Sequence, residues 1–238
     1  MPILAKHHKV IVIDLRGMGS SEKSIGGYSK KNMASDIASL IRLMELGIVS
    51  IAGHDIGATI AISFAGNYPE LTENLIVLDT PFPEDDLYKL PMLPVGLPVH
   101  PWRIAFNQIK DLPGNLLEGR FHIVQNWLFD EMLVNKDSIS DFDRQVYAKA
   151  YETKEAINAS NAWYQAFPED IQDIKDMKII EAPTLALGST NATTMLKASL
   201  PNYIRNLEFK EIKNSGHFIV EEQPIEVANL ISEFLTQD

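Results

Sequence analysis

Cysteine is absent from all 238 residues, so neither a disulfide framework nor a thiolate metal site can form. That is compatible with a reducing compartment, and the expected location is cytoplasmic. Cations are also scarce. Lys and Arg number 21 against 32 Asp and Glu, a net charge of -11, which argues against a nucleic-acid partner because phosphate-backbone binders cluster their basic residues. The short basic groups, Lys6 to Lys9 and the pair Lys30-Lys31, read as solvated surface. Long uninterrupted apolar runs are missing too: the most hydrophobic window, Ile48 to Gly66, carries His54 and Asp55 in its middle, a prohibitive place in hydrocarbon, so no membrane span is expected. No apolar segment of a secretory signal follows Met1, where Lys6, His7, His8 and Lys9 come first. Two chemical motifs fail as well. Gly17 and Gly19 lack the third glycine of a dinucleotide-binding turn, with Glu22 in its place, and His7, His8, His100 and His122 show no zinc-ligand spacing. Neither a metal nor a cofactor is inferred.

What is present is the grammar of a parallel α/β sheet. Val10 to Asp14 is a short β-branched run that predicts a buried strand, followed by a loop at Arg16 to Ser21. Met33, Ile37, Leu40, Ile41 and Met44 recur at helical spacing, so a helix packs one face on the sheet until Gly47 ends it. A strand then leads through Gly53-His54-Asp55-Ile56-Gly57 into an Ala- and Ile-rich helix that Tyr68-Pro69 stops. Leu75 to Leu78 is the next strand and delivers Asp79 at its carboxyl end. From Pro81 to Pro183 no strand-like run occurs; Pro81, Pro83, Pro91, Pro94, Pro98 and Pro101 break the chain, and helical stripes follow at Phe121-Val124-Leu128-Met132, around Phe142 to Tyr151, and from Ala156 to Phe167. Such a block reads as a lid over the strand ends. Thr184 to Leu187 and Leu207 to Ile212 resume the sheet, and Val227, Leu230, Ile231, Phe234 and Leu235 mark a terminal helix. Three parts result: residues 1–81 and 177–238 as a divided core, and 82–176 as a helical lid.

The centre is Gly53-x-Asp55-x-Gly57. A strand-to-helix turn with glycines two residues either side of its centre is the pattern of a nucleophile elbow, here with Asp in the centre. A carboxylate is already anionic at neutral pH and suits displacement at a saturated carbon, as in epoxides or carbon–halogen bonds. The alternative is that the glycines punctuate a turn and Asp55 caps the helix. His217, in Asn214-Ser215-Gly216-His217-Phe218 after the last strand, completes the chain order nucleophile, acid, histidine.

These residues give the chain its likeness. It resembles the α/β-hydrolase superfamily, in the branch of epoxide hydrolases and haloalkane or haloacetate dehalogenases, through Asp14-Leu15-Arg16-Gly17-Met18-Gly19-Ser20-Ser21, the Gly53-His54-Asp55-Ile56-Gly57 elbow, and Gly216-His217-Phe218 with Glu222 and Pro224. His-Asp-Ile-Gly at the elbow, Asp79-Thr80-Pro81-Phe82-Pro83 and Tyr147 to Tyr164 are most similar to Cif-type bacterial epoxide hydrolases. The resemblance implies Asp55 as nucleophile, His217 as base, Asp79 as the acid that orients His217 although Cif-type enzymes carry Glu there, and Tyr164 as hydrogen-bond donor to the epoxide oxygen. It also implies a substrate-binding wall of His54, Ile56, Arg103 and Trp163, a small-molecule partner and no cofactor, and it leaves a homodimer open. Packing of the lid core is the competing duty of Tyr164 and Trp163.

Three departures matter. Haloacetate dehalogenases hold their substrate's carboxylate with arginines where this chain has Ile56 and Thr59. Their halide-binding His-Trp pair is replaced by Arg103-Ile104, and the Cif-type ring-opening histidine also aligns with Arg103. A guanidinium donates hydrogen bonds but is no proton source at neutral pH. Finally, the branch's first strands and its H-G-x-P loop, half of an oxyanion hole, do not precede Met1, so the fold is expected to be N-terminally incomplete, either with a gap between the Val10 and Val49 strands or with those strands forced together. The expected reaction is opening of epoxides to vicinal diols; dehalogenation, and a hydrolase-like chain without catalysis, are the alternatives.

Overall fold

A computed structural model describes residues 2–90 and 101–236. Pro91, Pro94, Pro98 and His100 lie outside the described residues. The sheet has four parallel strands in sequence order: β1 (Val49–His54), β2 (Thr72–Leu78), β3 (Thr184–Gly188) and β4 (Leu207–Glu211). Helices α1 (Lys30–Leu43) and α2 (Ile56–Asn67) flank β1 in the chain. Between β2 and β3 the described residues form helices and no strand, the longer ones being α3 (Trp102–Asn107), α4 (Leu112–Leu117), α5 (Phe121–Met132), α6 (Asp141–Ala150), α7 (Lys154–Gln165) and α8 (Phe167–Asp176). The chain closes with α9 (Thr190–Ser199), α10 (Ile219–Glu222) and α11 (Pro224–Phe234).

Parallel strands need cover on both faces, and the side chains supply it. Leu75, Val77 and Ala186 face α2 through Ala58, Ala61, Ile62 and Ala65, and face α9 through Leu196. Ile76, Leu78, Leu185 and Leu187 point the other way, onto Val227, Ile231 and Phe234 of α11. The small residues of α2 let it sit close over the sheet, and nine of its residues are buried. Helix α1 packs its Met33, Ile37 and Ile41 chiefly on Ile56, Ile60 and Phe64 of α2 rather than on the sheet, which corrects the expected packing.

Two further expectations fail for tertiary reasons. Val10 to Asp14 forms no strand; Ile11, Val12 and Ile13 are exposed, Val12 at 73%. A β-branched run becomes a strand only where a neighbour offers its backbone groups, and no ladder reaches this one among the described residues. Neither of the two outcomes expected there arises, because residues 10–14 pair with no strand among the described residues. The segment is instead tied beyond its end, where Arg16 makes a two-pronged ion pair with Asp36 of α1, at 2.8 and 2.7 Å. Lys30, expected in solvent beside Lys31, is fully buried. Its partner is Asp170 of α8, 140 positions away, which no local pattern discloses.

Candidate active site

The carboxyl ends of the parallel strands bring four loops together, the place where open α/β sheets bind ligands. Asp55 follows β1 directly, at φ 51° and ψ -121°, a strained backbone that a non-glycine residue holds only when its surroundings dictate it. Gly53 is required: a Cβ there would lie 2.0 Å from the Gly57 carbonyl oxygen. Gly57 is not crowded, since a Cβ would meet nothing within 4 Å, and it lines the cavity instead. Asp55 makes no capping bond to α2, which disposes of the capping alternative. Ile56 N–H is the first amide of α2 and has no partner within the helix.

Asp79 follows β2, also at positive φ (60°), and is buried. One of its oxygens accepts from Ser189 N–H beyond β3 at 2.7 Å; the other faces His217 Nδ1 at 2.8 Å. The shorter Asp therefore reaches the imidazole. His217 Nε2 in turn lies 3.7 Å from Asp55 Oδ2, an ion-pair separation too long for a hydrogen bond. The imidazole thus stands between two carboxylates, Asp79 at Nδ1 and Asp55 at Nε2.

The histidine loop is held from both sides. His217 N–H donates to the Met132 carbonyl at 3.1 Å, and a Cβ on Gly216 would come within 1.8 Å of that oxygen. Glu222, quoted in the sequence only as part of a motif, accepts from Gly216, Val134 and Asn135 N–H at 2.6, 2.8 and 2.9 Å. One buried carboxylate therefore joins the His217 loop to the end of α5. Replacing Glu222 by Ala leaves three amides without their acceptor, and urea unfolding is expected to show a loss of about 1–3 kcal/mol.

Charge follows from this packing. Burial lowers the pKa of His217, but the adjoining Asp55 and Asp79 carboxylates more than reverse it, and His217 is raised to about 9. Burial likewise opposes ionisation of Asp55, yet His217, then Arg103 and His54, hold it well below the usual carboxylate range. Burial, then the charge of His217, lowers His54, whose Nε2 meets the His217 carbonyl at 2.8 Å.

Over these groups lies a cavity of about 420 Å³. Its floor includes His54, Asp55, Ile56 and His217, and the inserted helices supply Arg103, Tyr151, Trp163 and Tyr164. Tyr164 faces Asp55; burial first, then the Asp55 charge, raises its pKa, so its phenol keeps its proton. Trp163, one position earlier on α7, is buried and turns its indole N–H to the Arg16 carbonyl at 3.4 Å, so its polar edge serves packing. The sequence reading missed Tyr151, Asn161 and Gln125. Tyr151 stacks on Phe121 with ring centroids 4.3 Å apart, and burial, then Asp55, raises it to about 12. Gln125 and Asn161 are buried in the same wall, and Gln125 Oε1 and Asn161 Nδ2 have no partner among the described residues. Polar residues on apolar lid stripes gave the only hint of them.

A parallel sheet with helices inserted after its second strand, and an acid, a histidine and a second acid at its strand ends, is the architecture of α/β hydrolases. The chain belongs to that family: the model of the alpha/beta hydrolase fold matches residues 1–224. Among the relatives matched over most of this chain are epoxide hydrolases and a dehalogenase. The soluble epoxide hydrolase of Corynebacterium sp. (strain C12) is 27% identical, over 94% of this chain and 79% of that protein. The fluoroacetate dehalogenase of Burkholderia sp. is 26% identical, over 99% and 81%. The solved Cif epoxide hydrolase of Acinetobacter nosocomialis superposes with a TM-score of 0.90 at 19% identity, over 98% of this chain and 77% of that one, and speaks for the fold alone. No helix among the described residues is long and apolar enough to cross a membrane.

Proposed function

We propose that the protein hydrolyses epoxides to vicinal diols through an ester on Asp55. The observation that carries this reading is the line of Asp55, His217 and Asp79 beneath a cavity whose roof holds a protonated phenol, Tyr164. An Asp55 oxygen attacks one ring carbon, the ring C–O bond breaks, and Tyr164 donates a hydrogen bond to the departing oxygen. Residues 82–176 act as the lid that brings Tyr164 over Asp55.

Esterification removes the negative charge of Asp55, one of the two carboxylates that hold His217 protonated. His217 then releases its proton, which the new alkoxide takes up, and becomes a neutral base kept in place by Asp79. It accepts a proton from water as the water oxygen attacks the Asp55 carbonyl; Ile56 N–H stabilises the tetrahedral oxyanion. Collapse breaks the bond to the alkyl oxygen, the proton of the newly added hydroxyl passes to that oxygen, and the diol and the Asp55 carboxylate are freed with His217 protonated again. The net change is addition of one water.

The test is a single turnover with enzyme in excess over styrene oxide in water enriched in heavy oxygen. Expected is heavy oxygen in the Asp55 peptide and none in the first diol, because water attacks the ester carbonyl and the diol oxygen comes from Asp55. Label in the diol with Asp55 unlabelled would mean direct attack of water and would end the proposal. The likeness to a fluoroacetate dehalogenase supports a second reading with the same nucleophile, and halide release from fluoroacetate or a haloalkane without diol formation would select it.

A further inference from the structure

Arg103 and Asn161 bring two strong donors into the cavity that holds the reacting carboxylate. Arg103, on α3, is the one Lys or Arg side chain that lines the cavity, and among the described residues it forms no ion pair. Residues 91–100, which precede it, contain no Asp or Glu. Its charge acts on Asp55 and it reaches the Tyr164 hydroxyl, which places it at the reacting end of the cavity; that contact engages only part of a guanidinium's five N–H donors. Asn161 lies on α7, one helical turn before Tyr164; it is 3% exposed and its Nδ2 has no acceptor among the described residues. Helices α3 and α7 pack on each other, with Gln165 Nε2 donating to the Asn107 carbonyl at 3.5 Å. The cavity wall also carries the apolar Phe106, Phe121, Val124 and Leu128, with the amide of Gln125 among them.

A purely hydrocarbon epoxide offers one acceptor, its ring oxygen, and a buried amide left without a partner costs about 1–3 kcal/mol. The ring oxygen can accept from Tyr164 and needs no cation. An acceptor-only anionic group of about four lone-pair sites takes a guanidinium and an amide together, and gives Arg103 a use that needs no proton transfer. We propose that Arg103 and Asn161 select epoxides bearing a carboxylate next to the ring, 2,3-epoxycarboxylates with an aryl or branched alkyl group for the apolar wall. This rests on the epoxide-hydrolase reading and specifies its substrate class.

The experiment compares 3-phenylglycidate with trans-β-methylstyrene oxide, in which a methyl replaces the carboxylate, on the wild type, Arg103→Met and Asn161→Leu. Wild-type kcat/KM is expected to favour the acid by at least about 100-fold, with Arg103→Met abolishing the preference and Asn161→Leu reducing it about 10-fold. In parallel, binding of unreactive 3-phenylpropanoate and 3-phenylpropanamide to the wild type is measured by calorimetry, with tighter binding of the acid expected. Equal treatment of acid and neutral epoxide, or an Arg103→Met variant that loses both alike, overturns the assignment. Diol from the neutral epoxide with no carboxylate preference sinks only the substrate class. Tight binding of 3-phenylpropanoate with no epoxide turned over keeps the carboxylate site and removes the reaction.

Discussion

A His217→Gln variant given styrene oxide accumulates the Asp55 ester and turns over roughly 10⁴-fold more slowly than the wild type. The two half-reactions place different demands on this residue. Attack by Asp55 needs only a carboxylate, and Asp55 is held ionised by Arg103 and His54 as well as by His217. Ester hydrolysis needs a base within reach of the Asp55 carbonyl, and His217 Nε2, 3.7 Å from Asp55 Oδ2, is so placed. Glutamine fills similar space and keeps a donor for Asp79 but accepts no proton. Mass spectrometry of the Asp55 peptide should show the substrate's mass added in near one-to-one yield. Free Asp55 in a variant that still binds styrene oxide would remove His217 from the base role.

Sequence legibility tracks distance along the chain. Asp55 and Gly53 sit in a five-residue pattern, Asp79 ends an apolar run, and His217 is flanked by glycine; each signal is local, and the parallel fold then delivers all three to one edge. Residues whose duty depends on a distant partner were not legible. Lys30 looked like surface because its neighbour Lys31 is, and its Asp170 contact spans 140 positions of chain. Val10 to Asp14 failed in the opposite sense: its composition satisfies a strand, but strand formation is decided by a neighbour's backbone. Asn161 and Gln125 were hidden for a third reason, since an amide on an amphipathic helix looks the same in sequence whether it faces water or a cavity.

Lys30→Met is expected to cost about 3–5 kcal/mol in stability, because it leaves the Asp170 carboxylate uncompensated in the interior. Both side chains of the pair are fully buried, with Lys30 Nζ 2.8 Å from Asp170 Oδ2. Burial pushes each partner toward its neutral form, Lys30 down and Asp170 up, and each partner's charge offsets the other's shift. The pair also does structural work at a helix end. Ser29 provides no side-chain cap for α1, and Asp170 Oδ1 accepts from Lys30 N–H at 2.7 Å in its stead. Lys30 Nζ donates in addition to the Trp163 carbonyl, so the clasp fixes the turn of α7 that carries Tyr164. Without the lysine, Asp170 keeps a raised pKa and is penalised wherever it is ionised. The deficit of the variant should therefore shrink as pH falls through that raised pKa, whereas a simple packing defect would be insensitive to pH. The double replacement Lys30→Met with Asp170→Leu removes both charges, and urea unfolding should recover most of the loss, although kcat stays low if the clasp positions Tyr164. A double variant as unstable as the single one would mean that packing around Lys30, rather than its charge, holds the inserted helices to α1.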